Sequence, residues 1–199
     1  MGDPKFLRRT YDTPKHPWEA GRMAEERKLL AKYGLKNKRE LWKAQSILRR
    51  FRGQARELQA RLRAGETQAE RETTLLLARL TRLGVLPVGS PTIDDVLALT
   101  TEDVLQRRFE WIVFTRSMAP TPFAARQWIV HGHFSIGDHR MTRPGYLVPS
   151  NEEGAIAYTP TSPYASDDHS VRVALRDRLQ SRPTSAQVEA TPAEGPGGA

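Results

Sequence analysis

Apolar residues recur at spacings of three and four at Leu41, Ala44, Leu48, Phe51, Ala55, Leu58 and Leu62, the period of an amphipathic helix. Asn37 stands where an N-cap belongs, and Gly65 closes the pattern. Upstream, Pro17 at a first helical position and Gly34 just after Tyr33 punctuate a helix over 18–33. Downstream, Leu76, Leu80 and Leu83 share one face of a helix over about 66–83 that stops at Gly84, so the second and third helices form an antiparallel hairpin. Ile93, Val96 and Leu97 predict a short helix capped by Asp94 and Asp95 or by Thr92. By this reading the first 85 residues are all-helical.

From Leu99 the pattern changes. A capping signature at Thr100 and apolar Val104, Leu105, Phe109, Ile112 and Val113 predict a helix to Phe114. Thr121-Pro122 opens another through Val130, and Gly132 ends it as a left-handed terminator. The period then falls to two: His133 to Ile136, a turn at Gly137-Asp138, a second stretch to Met141, then short strands at Tyr146-Leu147-Val148 and Ala155 to Tyr158. The fold class is therefore α+β. An extended basic arm (1–17) and a helical domain (18–98) precede a module of two short helices and a small antiparallel sheet (99–163). The arm has no periodicity and is expected to order only against a partner. The tail, 164–199, loses aromatic and apolar periodicity and is expected to be mostly disordered apart from a marginal helix at 171–179.

Charge sharpens this outline. The 199 residues carry a net +8, with 38% hydrophobic residues. Residues 1–63 hold 18 Lys and Arg against 7 Asp and Glu, whereas the remainder is slightly acidic, so the whole excess lies in the first third. Between Lys36 and Arg63 ten cations face only Glu40 and Glu57. A helix stabilised for its own sake interleaves opposite charges at i,i+4; this one points instead to a polyanion. With no cysteine there is no disulfide and no thiolate zinc site. The N-terminus is polar rather than a signal peptide, and no run approaches the roughly 20 apolar residues of a membrane span. The expectation is a cytoplasmic protein with no membrane partner.

A second cationic group lies in the module: Arg107, Arg108, Arg116, Arg126, Arg140 and Arg143, with His131, His133 and His139, against Glu110 and Asp138. Guanidinium groups take phosphates bidentately, and the helix opening at Thr121 adds free backbone N–H groups. His131, His133, Asp138 and His139 are close in sequence, but a hairpin turn separates them and no fourth ligand is assured, so the spacing argues against a metal. The histidines contact RNA or are satisfied locally. No GxxxxGK loop, cysteine nucleophile or GxSxG elbow is present. Glu152 and Glu153 read as a solvated turn. No enzyme activity and no cofactor are expected.

The run Thr121-Pro122, Ala125-Arg126-Gln127, Ile129 to His133, then a hairpin and Tyr146-Leu147-Val148, resembles the RNA-binding fold named after small-subunit ribosomal protein S-four. Gly2 to Lys5, Tyr11 to Pro14, Tyr33 to Trp42, Asp94 to Leu97 and Glu102 to Leu105 are similar to the archaeal branch of the S-four family itself, over residues 1 to about 163. Asp138 and His139 occupy the turn where relatives often have Asn-Gly, and the resemblance does not extend to a recognised counterpart of the tail.

The resemblance implies a structural constituent of the small ribosomal subunit. It would be a primary binder of ribosomal RNA at a helical junction of the 5′ domain, needed early in assembly. It would sit beside ribosomal proteins three and five, near the channel by which messenger RNA enters, and contribute to translational accuracy. By position, RNA contacts are expected from Arg107, Arg108, Thr121, Arg126, Gln127, His131 and His133. Arg116 and Arg140 join them from the cationic module. The basic helix supplies Lys36, Asn37, Lys38, Arg39, Lys43, Arg49, Arg50, Arg52 and Arg56, and the arm Arg8, Arg9 and Lys15. Arg107 and Arg126 are expected to be exposed, so that reversing either charge weakens RNA binding without loss of helix. An RNA-modifying enzyme using the module as an accessory, and a non-ribosomal assembly factor, are the competing readings.

Overall fold

The computed structural model describes residues 9–87 and 89–180. The helical part comprises α1 (Ala20–Tyr33), α2 (Lys38–Arg63), α3 (Thr67–Arg82), α4 (Ile93–Ala98) and α5 (Thr101–Gln106). Two more helices follow, α6 (Phe109–Thr115) and α7 (Pro122–His131). The chain then forms β1 (Phe134–Ile136), β2 (His139–Met141), α8 (Ser150–Glu153), β3 (Ile156–Tyr158), a 3₁₀ turn (Pro163–Ala165) and α9 (Ser170–Gln180).

The caps anticipated from sequence form. The Asn37 side chain accepts from the Glu40 N–H, and Thr92, not Asp94, closes a capping box with Asp95. Helix α1 begins later than expected, because the Arg22 guanidinium donates to the His16 and Pro17 carbonyls at 2.5 and 3.1 Å and holds Pro17-Trp18 in a turn ahead of it.

Two apolar cores result. The first gathers Leu41, Leu48, Phe51, Ala55 and Leu58 of α2 with Tyr33, Leu76, Leu80, Val96, Val104 and Leu105. The second packs Phe109, Ile112 and Val113 of α6 and Ala125 and Ile129 of α7 against Phe134, Ile136, Val148 and Ile156. The sheet has the order β2-β1-β3, both pairings antiparallel, with Phe134 opposite Met141 on one side and Tyr158 on the other. Gly137-Asp138 makes the two-residue turn between β1 and β2, and His139 opens β2. Only Gly137 takes a positive φ there, 56°, as a II′ hairpin turn requires.

Two expectations are corrected. The helix anticipated from Thr100 to Phe114 breaks at Arg107-Arg108, where Arg108 is extended at φ −73°, ψ 142°. Tyr146-Leu147-Val148 is not a strand of the sheet but the partner of that break. Phe109 N–H donates to the Tyr146 carbonyl at 2.8 Å and Val148 N–H to the Arg107 carbonyl at 3.0 Å. Period-two alternation showed an extended segment but not which backbone it would meet.

The arm also differs. Thr10 to Asp12 lies along α2: the Asp12 N–H donates to Ser46 Oγ at 3.1 Å, and the Tyr11 ring sits 6.1 Å from that of Trp42. The described part of the arm thus orders against its own helix. At the other end, Ser170–Gln180 is helical with Leu175 buried; the rest of the tail, 181–199, lies outside the described residues.

Where the two cores meet, Gly34 ends α1 at φ +66°, and a Cβ there would come within 2.8 Å of Pro122 Cβ and 2.9 Å of its carbonyl carbon. Left-handed backbone costs a β-carbon residue roughly 1–2 kcal/mol before any clash. Gly34→Ala is therefore expected to lower the urea midpoint by the equivalent of about 2 kcal/mol or more with the slope unchanged; an unchanged midpoint contradicts the packing.

Candidate nucleic-acid interface

The basic residues fall into two groups, those holding protein groups and those facing solvent. On α2, Lys38 pairs with buried Glu26 at 2.9 Å and Arg49 with Asp12 at 2.6 Å. Arg52 donates to the Leu99 carbonyl, and Arg50 reaches that of Thr10 at 3.4 Å. Lys36, Arg39, Lys43 and Arg56 are exposed and have no acidic partner among the described residues. Arg39, Lys43 and Arg50 lie along one stripe, four and seven residues apart. In the arm, Arg9 lies over the Tyr11 ring at 5.3 Å and Lys15 is exposed; Arg8 lies outside the described residues.

In the module the expectation that Arg107 and Arg126 are exposed is overturned, and Arg108 is withdrawn from solvent with them. Arg108 is buried, donating to Glu110 at 2.9 Å and to Glu40 at 2.6 Å. Arg126 donates to Glu110 at 3.0 Å and to both oxygens of Glu40, with only 18% of its side chain exposed. Arg107 is 15% exposed and donates to the Val148 carbonyl at 2.8 Å and to Glu153 at 3.1 Å. The physical reason is the same each time: a cation at an apolar junction is stable only when its charge is matched there. Arg116 also leans on Glu153, at 3.5 Å, but keeps 35% of its side chain exposed.

Glu40, Arg108, Glu110 and Arg126 form one ion-pair cluster that joins α2 to α6 and α7. Burial raises the Glu40 carboxyl, but the Arg126 and Arg108 guanidiniums outweigh it and hold Glu40 below the ordinary range. Glu110 is fully buried, and burial pushes its carboxyl up to about 7 against the pull of Arg108 and Arg126. Burial lowers Arg126, while Glu40 and Glu110 more than restore its proton.

A carboxyl raised on folding stabilises the fold fully below its ordinary value of 4.5, and that contribution is lost as pH rises through about 7. Stability is expected to fall by roughly 3 kcal/mol across that window, and Glu110→Gln to flatten the fall. Parallel pH profiles of wild type and variant contradict this.

The remaining candidates scatter over the surface of α7 and the sheet. Thr121 caps α7, accepting from the Ala124 N–H at 3.1 Å. Gln127 and His131 are exposed on α7, beside Phe123 and Val130. His133 is satisfied locally: Nδ1 lies 3.0 Å from Ser162 Oγ, and the ring stands edge-on to Tyr164 at 5.0 Å. Burial, then the neighbouring His131 and Arg140 charges, lower its pKa. Arg140 closes the end of α7, donating to the Gly132 and His131 carbonyls at 3.0 and 2.7 Å, and fills the space a Cβ on Gly132 would need.

Arg143 is exposed with no acidic partner among the described residues. It lines, with Lys43, Arg126, Ile47 and Leu147, a cleft of about 370 Å³ between α2 and the 142–147 loop. Sequence reasoning counted Arg143 among the module's cations but not among the RNA contacts. No helix among the described residues is long and apolar enough to cross a membrane.

The S4 domain family matches residues 107–153, the segment whose first and last residues are clasped by the Arg107–Glu153 pair. Over the longer chain, the small ribosomal subunit protein uS4 of Picrophilus torridus is 48% identical across 175 residues, 88% of this chain and 95% of that protein. The chain belongs to the uS4 family. Members from Thermoplasma volcanium and Methanococcus aeolicus agree with this, the first 45% identical over 98% of this chain and 96% of its own length, the second 48% over 86% and 96%. These uS4 relatives come from archaea, the branch that the motifs of the arm and of the helical region resemble, and uS4 proteins are structural ribosomal proteins rather than enzymes. In this uS4 chain the matched S4 segment covers 47 residues, and α1 to α5 precede it.

Proposed function

We propose that this chain is a structural constituent of the small ribosomal subunit that binds its ribosomal RNA, working in the cytoplasm as part of the ribosome. It is a primary binder at a helical junction of the 5′ domain and nucleates assembly of the subunit body. It lies beside ribosomal proteins three and five, near the channel by which messenger RNA enters, and so contributes to translational accuracy. The observation that carries the reading is the set of exposed cations without acidic partners among the described residues, Lys36, Arg39, Lys43 and Arg56 in or just before α2 and Arg143 in the module, beside module arginines, Arg108 and Arg126, that are engaged internally. Duplex RNA is recognised through its backbone and groove shape, which suits positive groups fixed on rigid helices. Arg108 and Arg126 support the interface by holding α2 against the module, and Arg107 by tying the chain ahead of α6 to Val148 and Glu153, rather than by touching RNA.

A primary binder is expected to bind protein-free small-subunit RNA unaided and to remain stoichiometric in mature subunits washed at high salt. A requirement for a previously bound protein removes the primary role, and presence only in precursor particles favours an assembly factor instead.

A further inference from the structure

The outer side of α3 carries a surface that RNA binding by α2 and the module does not use. Arg71, Leu75, Ala78 and Arg82 follow one another along it at helical spacing, with Arg79 alongside. All five are exposed, and Leu75, at 70%, is the most exposed large aliphatic side chain among the described residues. The three arginines have no acidic partner among the described residues: the nearby carboxylates of Glu66 and Glu72 are both taken by Arg61, each at 2.7 Å. Glu70 stands about 100° round the helix from Arg71.

Arg79 and Arg82 lie in the last turn, where cations offset the helix dipole. That accounts for neither Arg71 nor an isobutyl group held out in water among three guanidiniums. A phosphate backbone would neutralise the arginines but offers no apolar socket for Leu75. A protein surface offers both, since an apolar centre ringed by arginine is characteristic of protein interfaces and guanidiniums pair bidentately with carboxylates.

We infer that this face of α3 docks an acidic segment of a neighbouring protein that receives Leu75 in an apolar pocket rimmed by Asp or Glu. The inference rests on the chain's place in the small subunit. The test puts p-benzoylphenylalanine in place of Leu75 in the full-length chain, assembles it into small subunits, irradiates, and identifies the adduct.

The expected adduct is a peptide of another protein in which Asp and Glu outnumber Lys and Arg. Combining Arg71→Glu with Arg82→Glu is expected to lower its yield at least tenfold, with affinity for small-subunit RNA changed less than twofold and helicity unchanged. An adduct to RNA, to this chain or to a non-acidic peptide overturns the inference, as does the absence of an adduct or a large loss of RNA affinity in the double variant. Failure of the underlying reading shows separately, as absence of RNA binding by the unsubstituted chain.

Discussion

Arg126→Met, which keeps volume and removes the charge, is expected to destabilise the protein by about 3–5 kcal/mol at pH 8. Arg126 neutralises two carboxylates together, bonding Glu110 at 3.0 Å and Glu40 at 2.9 Å. Once it is gone, Arg108 alone faces Glu40 and Glu110, and Glu110 has no access to solvent. The cost is the uncompensated buried charge, not the loss of an attraction, so it depends on protonation. Glu110 already titrates at about 7, and losing one of its two guanidiniums raises it further. The deficit relative to wild type is accordingly expected to shrink as pH falls from 8 to 5, where Glu110 protonates. Urea denaturation at both pH values measures this; equal deficits at the two pH values would mean that packing, not charge, sets the cost. Arg126→Glu, which places a third carboxylate in the cluster, is expected to abolish cooperative folding of the module.

The same cluster marks the boundary of what the sequence could tell. Helix α2 was legible because one periodic pattern runs through all 26 residues and both ends carry punctuation. Helix α7 was legible from Thr121-Pro122 and Gly132, whose roles are local. The pairing of Glu40 was not: its arginines lie 68 and 86 residues further on, and no local spacing encodes that contact. Counting Glu40 as one weak counterweight among ten cations was arithmetically right and structurally wrong. Glu110 left a fainter signal, an acid between Phe109 and Trp111 inside an otherwise apolar run, which in a buried helix calls for a cation from elsewhere. For His133 the sequence leaves RNA contact and local satisfaction open, and the partners it finds, Ser162 and Tyr164, come from the segment after the sheet, which no local spacing reveals. Motif, cap and period are short-range properties; the division of basic residues into internal and external sets is a tertiary one.

That division fixes the magnitude of the last expectation. If phosphates are met by Lys36, Arg39, Lys43, Arg56 and Arg143 and not by Arg107, Arg108 and Arg126, about five counterions are displaced on binding. The affinity for small-subunit RNA should then fall with a slope of about −4.5 against the logarithm of salt, roughly 500-fold between about 50 and 200 mM. Arg39 and Lys43 occupy adjacent turns of the same stripe and hold no acidic group in the fold. Removing both, as Arg39→Ala with Lys43→Ala, is expected to make the slope shallower by about 2 and to weaken binding to all RNA sequences alike, with the urea midpoint unchanged. Arg126→Met should do the reverse: in conditions where it stays folded, the slope is retained while stability is lost. A slope that is flat in the unsubstituted chain, or that changes with Arg126 and not with Arg39 and Lys43, would place the RNA on the module's paired arginines and require the ion-pair cluster to open on binding.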